Sequence, residues 1–222
     1  GGGRLSFSTF FQYYHGRIIA ELYNHLLIIL ISIPLSILIS LPLGIFISAR
    51  PRIARFVLYV AGVFMTIPSL ALFGFMVVLL APVHLGLGLV PAVLAIAFYS
   101  VLPITRNTVI ALNGVPSGII ESARGMGLSR KQILWKVRLP LALPVIMAGV
   151  RISVVLGVSV ATFASLVGAG GFGYFIFSGI SRTNMAMVLT GAIFVSLLGI
   201  GFNALFLWIE KVLTPRGLKV ER

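Results

Sequence analysis

The sequence predicts an all-α membrane protein of five transmembrane helices, N-terminus outside and C-terminus inside, with a short helix pair in the cytoplasmic loop between the third and fourth. Three observations predict it. The chain of 222 residues is 59% hydrophobic and only 9% charged, whereas soluble domains carry about 25% charged residues. Five apolar runs match the roughly 20 helical residues needed to cross about 30 Å of hydrocarbon. Basic residues cluster between alternate runs, as they do in loops retained in the cytoplasm.

The first span is read at Leu26–Ala49, interrupted by Pro34 and Pro42, and the second at Phe56–Leu80, interrupted by Pro68. Membrane helices tolerate such prolines because neighbouring groups can satisfy the freed carbonyls. The third is read at Leu85–Thr105 with an extension past Thr105 left open, the fourth at Leu141–Val167 and the fifth at Met185–Trp208. The domain division is then an extracytoplasmic tail (1–25), a transmembrane domain (26–209) containing the loop 113–140, and a cytoplasmic tail (210–222). Gly1–Gly3 read as a trimmed or added start, and the first span is expected to act as its own insertion signal. No internal repeat or soluble domain is evident.

Charge orients the spans. With the N-terminus outside, the cytoplasmic side holds Arg50, Arg52 and Arg55, then Arg106, Arg124, Arg130, Lys131, Lys136 and Arg138, then Lys211, Arg216, Lys219 and Arg222. The outside holds Arg4, Arg17 and Arg182, a ratio of thirteen to three that the reverse topology would invert. Arg151 remains, inside the fourth span. A mid-membrane arginine is a functional candidate by default; the plainer reading is that it snorkels or meets water at the cytoplasmic end of the bundle.

Composition also excludes function classes. The net charge of +13 does not indicate nucleic-acid binding, because the charges punctuate apolar runs instead of gathering on one polar face. Aspartate and cysteine are absent, and only four glutamates and three histidines are present. Catalytic carboxylate pairs and clustered metal ligands are hard to build from that inventory, so neither a catalytic site nor a metal site is expected. Gly168-Ala-Gly170-Gly171-Phe-Gly173 fits G-x-G-x-x-G, but a membrane span precedes it and no acidic residue lies between Glu121 and Glu210. The dinucleotide fingerprint requires a preceding strand and an acidic residue about twenty positions on, so these glycines are read as a tight turn or close packing on the outer side. None of the four lysines follows a glycine, which rules out a P-loop.

The polar island Pro116–Pro140 reads as two short helices. Ser117 is placed as the first N-cap, and Ile119, Ile120, Ala123 and Met126 form an apolar stripe. Gly125 and Gly127 allow a turn. Ser129 and Gln132 have capping-box spacing. Ile133, Leu134 and Val137 then share one face, and Lys131, Lys136 and Arg138 mark the other. By pattern alone, the pair either rests on lipid headgroups or docks a protein.

The island's sequence, ESARGMGLSRKQILWKVRLP, resembles the E-A-A, three residues, G, nine residues, I-x-L-P signature of the membrane subunits of bacterial ABC importers. Glu121, Ala123, Gly127, Leu139 and Pro140 match, while Ser122 and Val137 are mild departures. The passages Ile67–Gly74, Leu102–Thr108 and Arg138–Arg151, with the glycine turn Gly168, Gly170, Gly171 and Gly173, resemble the branch that carries osmoprotectants such as glycine betaine, choline or carnitine. The methionine-importer branch is a near relative of the same fold.

The resemblance implies a non-catalytic permease in the bacterial inner membrane working by alternating access. Its implied partners are two ATPase subunits holding ATP and Mg, a second permease chain (identical or a paralogue) and an extracytoplasmic binding protein. Glu121, Ser122, Ala123, Gly127, Val137, Leu139 and Pro140 are the implied ATPase-coupling residues. Tyr99, Arg151 and Phe163 are pathway candidates, the aromatics because quaternary amines are held by cation–π attraction. Alternatives are a permease for an ergothioneine- or methionine-type solute, a secondary transporter or channel subunit, and a membrane scaffold without transport. A secondary transporter usually needs buried carboxylates, and no glutamate is read as lying mid-span.

Overall fold

The computed structural model describes residues 7–214, which contain helices and no strand. α1 spans Phe7–Ser48, and its 42 residues extend about 63 Å. α2 (Pro51–Phe64) and α3 (Ser69–Leu80) follow, then α4 (Leu89–Asn113) and α5 (Ser117–Gly125). α6 (Arg130–Ile133), a π-helical turn (Leu134–Arg138) and α7 (Leu139–Val160) run on from one another and end in a 3₁₀ segment, Ala161–Val167. α8 (Gly173–Ser181) and α9 (Met185–Leu213) complete the fold. Four helical runs are long and apolar enough to cross a membrane, and α2 with α3 makes a fifth if the bent pair counts as one span.

α4 is the central helix, packed between α1 and α7. Small residues at every fourth position allow this. On α1, Ser32, Ser36 and Ser40 are fully buried, and Gly44 abuts Thr108, whose side chain lies 2.7 Å from where a Cβ on Gly44 would be. On α7, Gly149, Ser153 and Gly157 repeat the pattern; a Cβ on Gly149 would lie 2.5 Å from Cβ of Asn107. Lipid supplies no hydrophobic drive between helices, so close backbone approach and interhelical hydrogen bonds do that work. Ser36 donates to Ala97 O, Ser40 to Val101 O and Ser153 to Ser100 O. The apolar core, including Ile28, Ile33, Ile96, Val154 and Val158, sits along this α1–α4–α7 seam, with Phe73 of α3 packed onto it.

Several sequence expectations change. Phe56–Leu80 is not one straight span: α2 and α3 meet at 96°. Pro68 sits at the N-cap of α3 and has no N–H to continue the preceding helix. The expected tail 1–25 is helical from Phe7 onward and continuous with the first span. Ile18 packs with Phe172, Phe175 and Met187, and Tyr14 and Leu22 flank that cluster, so the extension is docked on α8 and α9. α8 itself was not foreseen. α4 begins four residues later than expected, after Gly88 at φ +88°, and runs eight residues past Thr105. Arg4, Arg216, Lys219 and Arg222 of the charge count lie outside the described residues, as do Gly1–Gly3 and Glu221.

Candidate functional site: the loop between α4 and α7

α5 begins at Ser117 with Pro116 as N-cap and no side-chain cap. This corrects the expected Ser117 cap: the backbone of Pro116, at ψ 134°, already leads into the helix, and Ser117 is its first residue. At the other end, Gly127 lies at φ +83°. Leu128 N–H donates to Ala123 O at 3.2 Å and Gly127 N–H to Arg124 O at 2.9 Å. These two bonds make a Schellman turn, which places its turning residue in the left-handed region that glycine occupies without strain. A Cβ on Gly127 would meet nothing within 4 Å, so the glycine is required by conformation and not by space.

The next helix starts with the expected capping box. Ser129 Oγ accepts from Gln132 N–H at 3.3 Å, and Gln132 Oε1 accepts from Ser129 N–H at 2.8 Å. It does not end at Pro140: α6 continues through the π turn into α7 as one run, Arg130–Val167. The two expected short helices are therefore one short helix and the leading end of a span. In the π turn Leu139 N–H reaches back to Leu134 O. That longer ring falls directly before Pro140, which lacks an N–H, so the ladder is re-registered where it would otherwise break.

The signature residues divide into two groups. Glu121 and Ser122 are exposed, and Ala123 is buried at 2% exposure against the body of the loop. Ser122 donates its hydroxyl to Gly118 O at 2.8 Å, so the departure from alanine is absorbed within the helix. Val137, Leu139 and Pro140 are half-buried. Leu139 packs against the cluster of Ala111, Leu112, Ala142 and Ile146. Glu121 and Ser122 thus face outward, while Ala123 turns inward and the second half of the motif seats the loop on the helices behind it.

Arg138 was expected on the exposed basic face. Instead its guanidinium turns inward and donates to Leu112 O at 2.6 and 3.2 Å and to Asn113 Oδ1 at 3.3 Å. It caps the end of α4, where unsatisfied carbonyls carry the negative end of the helix dipole. The apolar stripe also divides: Ala123 and Ile133 are buried, whereas Ile119 and Met126 stay exposed, Met126 at 73%, beside the exposed Trp135. With Arg124, Arg130, Lys131 and Lys136 they form an apolar and basic surface. A groove of about 410 Å³ separates the loop from the C-terminal end of α1 at Ile45, Ser48 and Ala49.

The glycine turn lies elsewhere and forms a tight, closely packed turn. Gly168, Gly170 and Gly171 have positive φ, and a Cβ on Gly173 would overlap Thr162 O. The turn wraps a polar cluster on α1, within the segment 1–25 expected as a tail. Glu21 is 1% exposed. It accepts Gly171 N–H at 2.6 Å and pairs with Arg17 at 2.7 Å. Arg17 in turn lies 4.0 Å from the centre of the Tyr174 ring. His25 Nδ1 accepts Phe172 N–H at 3.3 Å, so its Nε2–H donates to Val158 O at 3.1 Å. The signal was present: Arg17, Glu21 and His25 are spaced by four, one face of a helix.

The pathway candidates are dispersed. Tyr99 lines an apolar cavity of about 260 Å³ between α2 and α4, beside Phe64 and Phe98. Phe163 lies in the 3₁₀ segment, with Phe73 and Phe177 rings at 6.3 and 5.9 Å. Arg151 is on α7 and pairs with Glu210 of α9 at 3.1 Å. It does not stand alone in the membrane.

Comparison with known proteins agrees with this architecture. Residues 36–218 match the family described as binding-protein-dependent transport system inner membrane component. The carnitine transport permease protein OpuCB of Listeria monocytogenes is 39% identical over 96% of each chain. The osmoprotectant import permease protein OsmW of Salmonella typhimurium is 40% identical over 92% of this chain and 95% of that one. The choline transport system permease protein OpuBB of Bacillus subtilis is 37% identical over 95% and 94%. Among solved structures, an inward-facing MetNI methionine ABC transporter superposes with a TM-score of 0.79 at 25% identity, covering 89% of this chain and 96% of that one.

Proposed function

The chain belongs to the family of inner membrane components of binding-protein-dependent transport systems, and on that premise we propose that it forms the translocation pathway of an ABC importer for a quaternary-amine osmoprotectant. Such a component is a multi-pass protein of the bacterial plasma membrane that works with an ATPase and a substrate-binding protein. The cargo reading rests on relatives whose names specify carnitine, osmoprotectants and choline; glycine betaine belongs to the same chemical class.

The observation that carries the coupling assignment is the Schellman turn at Gly127 with its exposed surface. Ile119, Met126 and Trp135 provide apolar area, and Glu121 with the surrounding cations provides polar contacts that set register. An exposed apolar patch rimmed by charge marks a protein interaction site. Glu121, Ser122 and Gly127 present the surface to an ATPase subunit; Ala123, Val137, Leu139 and Pro140 hold it in place. ATP and Mg bind in that partner. One such loop per chain and two ATPase subunits per importer call for a second permease chain related by two-fold or pseudo-two-fold symmetry. Five spans, with the loop and C-terminus cytoplasmic, follow from the charge count if α2 and α3 form one broken span.

Reconstitution with the ATPase and binding protein tests the reading. ATP-dependent uptake of glycine betaine, choline or carnitine is expected. Uptake driven by an ion gradient without ATP would overturn the importer assignment. Uptake of methionine or another amino acid in place of all three would overturn the cargo.

A further inference from the structure

A groove of about 370 Å³ opens between α7 and α9, lined by Val155, Ser159, Ser196, Gly199, Ile200 and Asn203 among others. Its polar groups follow helical spacing. Ser159 lies eight residues, about two turns, past Arg151 on α7, and Ser196 and Asn203 lie seven apart on α9 with Glu210 seven further on. The two rows face each other and meet at the Arg151–Glu210 ion pair. From Ser196 to Glu210 the row runs about 21 Å, most of the hydrocarbon thickness.

These groups lack what membrane-buried polar groups normally have. Ser32, Ser36, Thr108 and Thr190 all return their hydroxyls to the carbonyl four residues earlier. Among the described residues, the side chains of Ser159, Ser196 and Asn203 have no hydrogen-bond partner, and all three are partly or fully exposed. Polar side chains in mid-span characteristically face the bundle interior or a water-filled cavity in preference to lipid. The half-buried ion pair on the same face needs the same hydration or an equivalent partner.

We propose that the α7–α9 groove is one wall of the aqueous translocation pathway, with Ser159, Ser196 and Asn203 contacting a small polar solute and the Arg151–Glu210 pair at its inner end. This rests on the transport function proposed above and relocates the pathway from the aromatic residues Tyr99 and Phe163 to a row of hydroxyls and an amide. Hydroxyl and amide groups can replace the hydration of a polar solute in transit without holding it tightly.

The chain has no cysteine, so single cysteines can be read directly. Ser159→Cys, Ser196→Cys and Asn203→Cys, with Leu197→Cys and Leu205→Cys as controls that are exposed but lie off the groove, are made in the assembled transporter. Each is treated with a membrane-impermeant methanethiosulfonate carrying a trimethylammonium group. Only the thiolate reacts, and apolar surroundings raise a thiol's pKa, so the groove positions are expected to label at least about tenfold faster than the controls. Excess osmoprotectant is expected to slow that labelling. Equal labelling at groove and control positions, or none at Ser196→Cys and Asn203→Cys, overturns the proposal, since the groove then faces lipid or is packed against the second chain. Uptake by the unsubstituted transporter is measured separately; its failure with all three amines overturns the cargo reading alone.

Discussion

Gly127 separates a conformational requirement from a steric one. Its φ of +83° lies in the left-handed region, and a Cβ there would meet nothing within 4 Å. Substitution therefore brings no clash and only a backbone penalty, about 1–2 kcal/mol for an ordinary L-residue. Asparagine tolerates this region, and a β-branched residue tolerates it least. One to two kcal/mol corresponds to a factor of roughly 5–30 in the population holding the Schellman turn. The order Gly127→Asn above Gly127→Ala above Gly127→Val is expected for ATP-driven uptake by reconstituted transporter at matched expression. Where only the turned form docks, Gly127→Val falls by up to that factor, and its ATP hydrolysis no longer tracks uptake. Equal uptake by the asparagine and valine variants would refute the reasoning, because the two differ in backbone preference while both fit the open space.

Three further outcomes follow from other parts of the fold. Gly149→Val forces a side chain onto Asn107, where Cβ alone would lie 2.5 Å away; overpacking costs about 1–3 kcal/mol. A lowered thermal midpoint in nanodiscs is expected, whereas Gly16→Ala, inside α1 with nothing within 4 Å of its Cβ, should leave the midpoint unchanged or slightly raised. Glu21→Ala orphans the Gly171 N–H, a loss of about 1–3 kcal/mol, whereas Glu21→Gln keeps an acceptor. Arg17 is half-exposed and rehydrates in either variant, so thermal unfolding should rank alanine below glutamine, and equal midpoints would count against the turn-clamping role. Arg138→Ala removes the charged cap on Leu112 O, about 1.5–3 kcal/mol. Faster proteolysis within 113–140 and weaker retention of the ATPase subunit should follow, and an unchanged cleavage rate would show that the cap does not hold the loop.

Much of the loop was legible because its signals are local. The capping box at Ser129 and Gln132 and the turning glycine at Gly127 depend on residues within one or two turns. What was missed depends on distant partners. Arg138 looks like any other cation of the basic face until Leu112, 26 residues earlier, presents its carbonyl. Glu21 looks like a charge ahead of a span until the loop at Gly171, 150 residues later, closes on it. Arg151 looked isolated because Glu210 is 59 residues away. The row Ser196, Asn203 and Glu210 was visible as a spacing of seven, but nothing local distinguished it from scattered polar residues.

Sequence alone determined the membrane class, the long apolar helical runs and the glycine-turned loop with its capping box at Ser129. Apolar run length and nearest-neighbour backbone chemistry act within a few residues, and the bilayer permits few alternatives. Tertiary structure decided that Pro68 breaks the second run by 96°, that α6 flows through a π turn into α7, and which polar groups find partners across the bundle. Those outcomes depend on which helix faces meet. In lipid, that choice is made by close packing at small residues such as Gly44, Ser36 and Gly149 and by hydrogen bonds between helices, and not by the hydrophobic pattern that reveals the helices themselves.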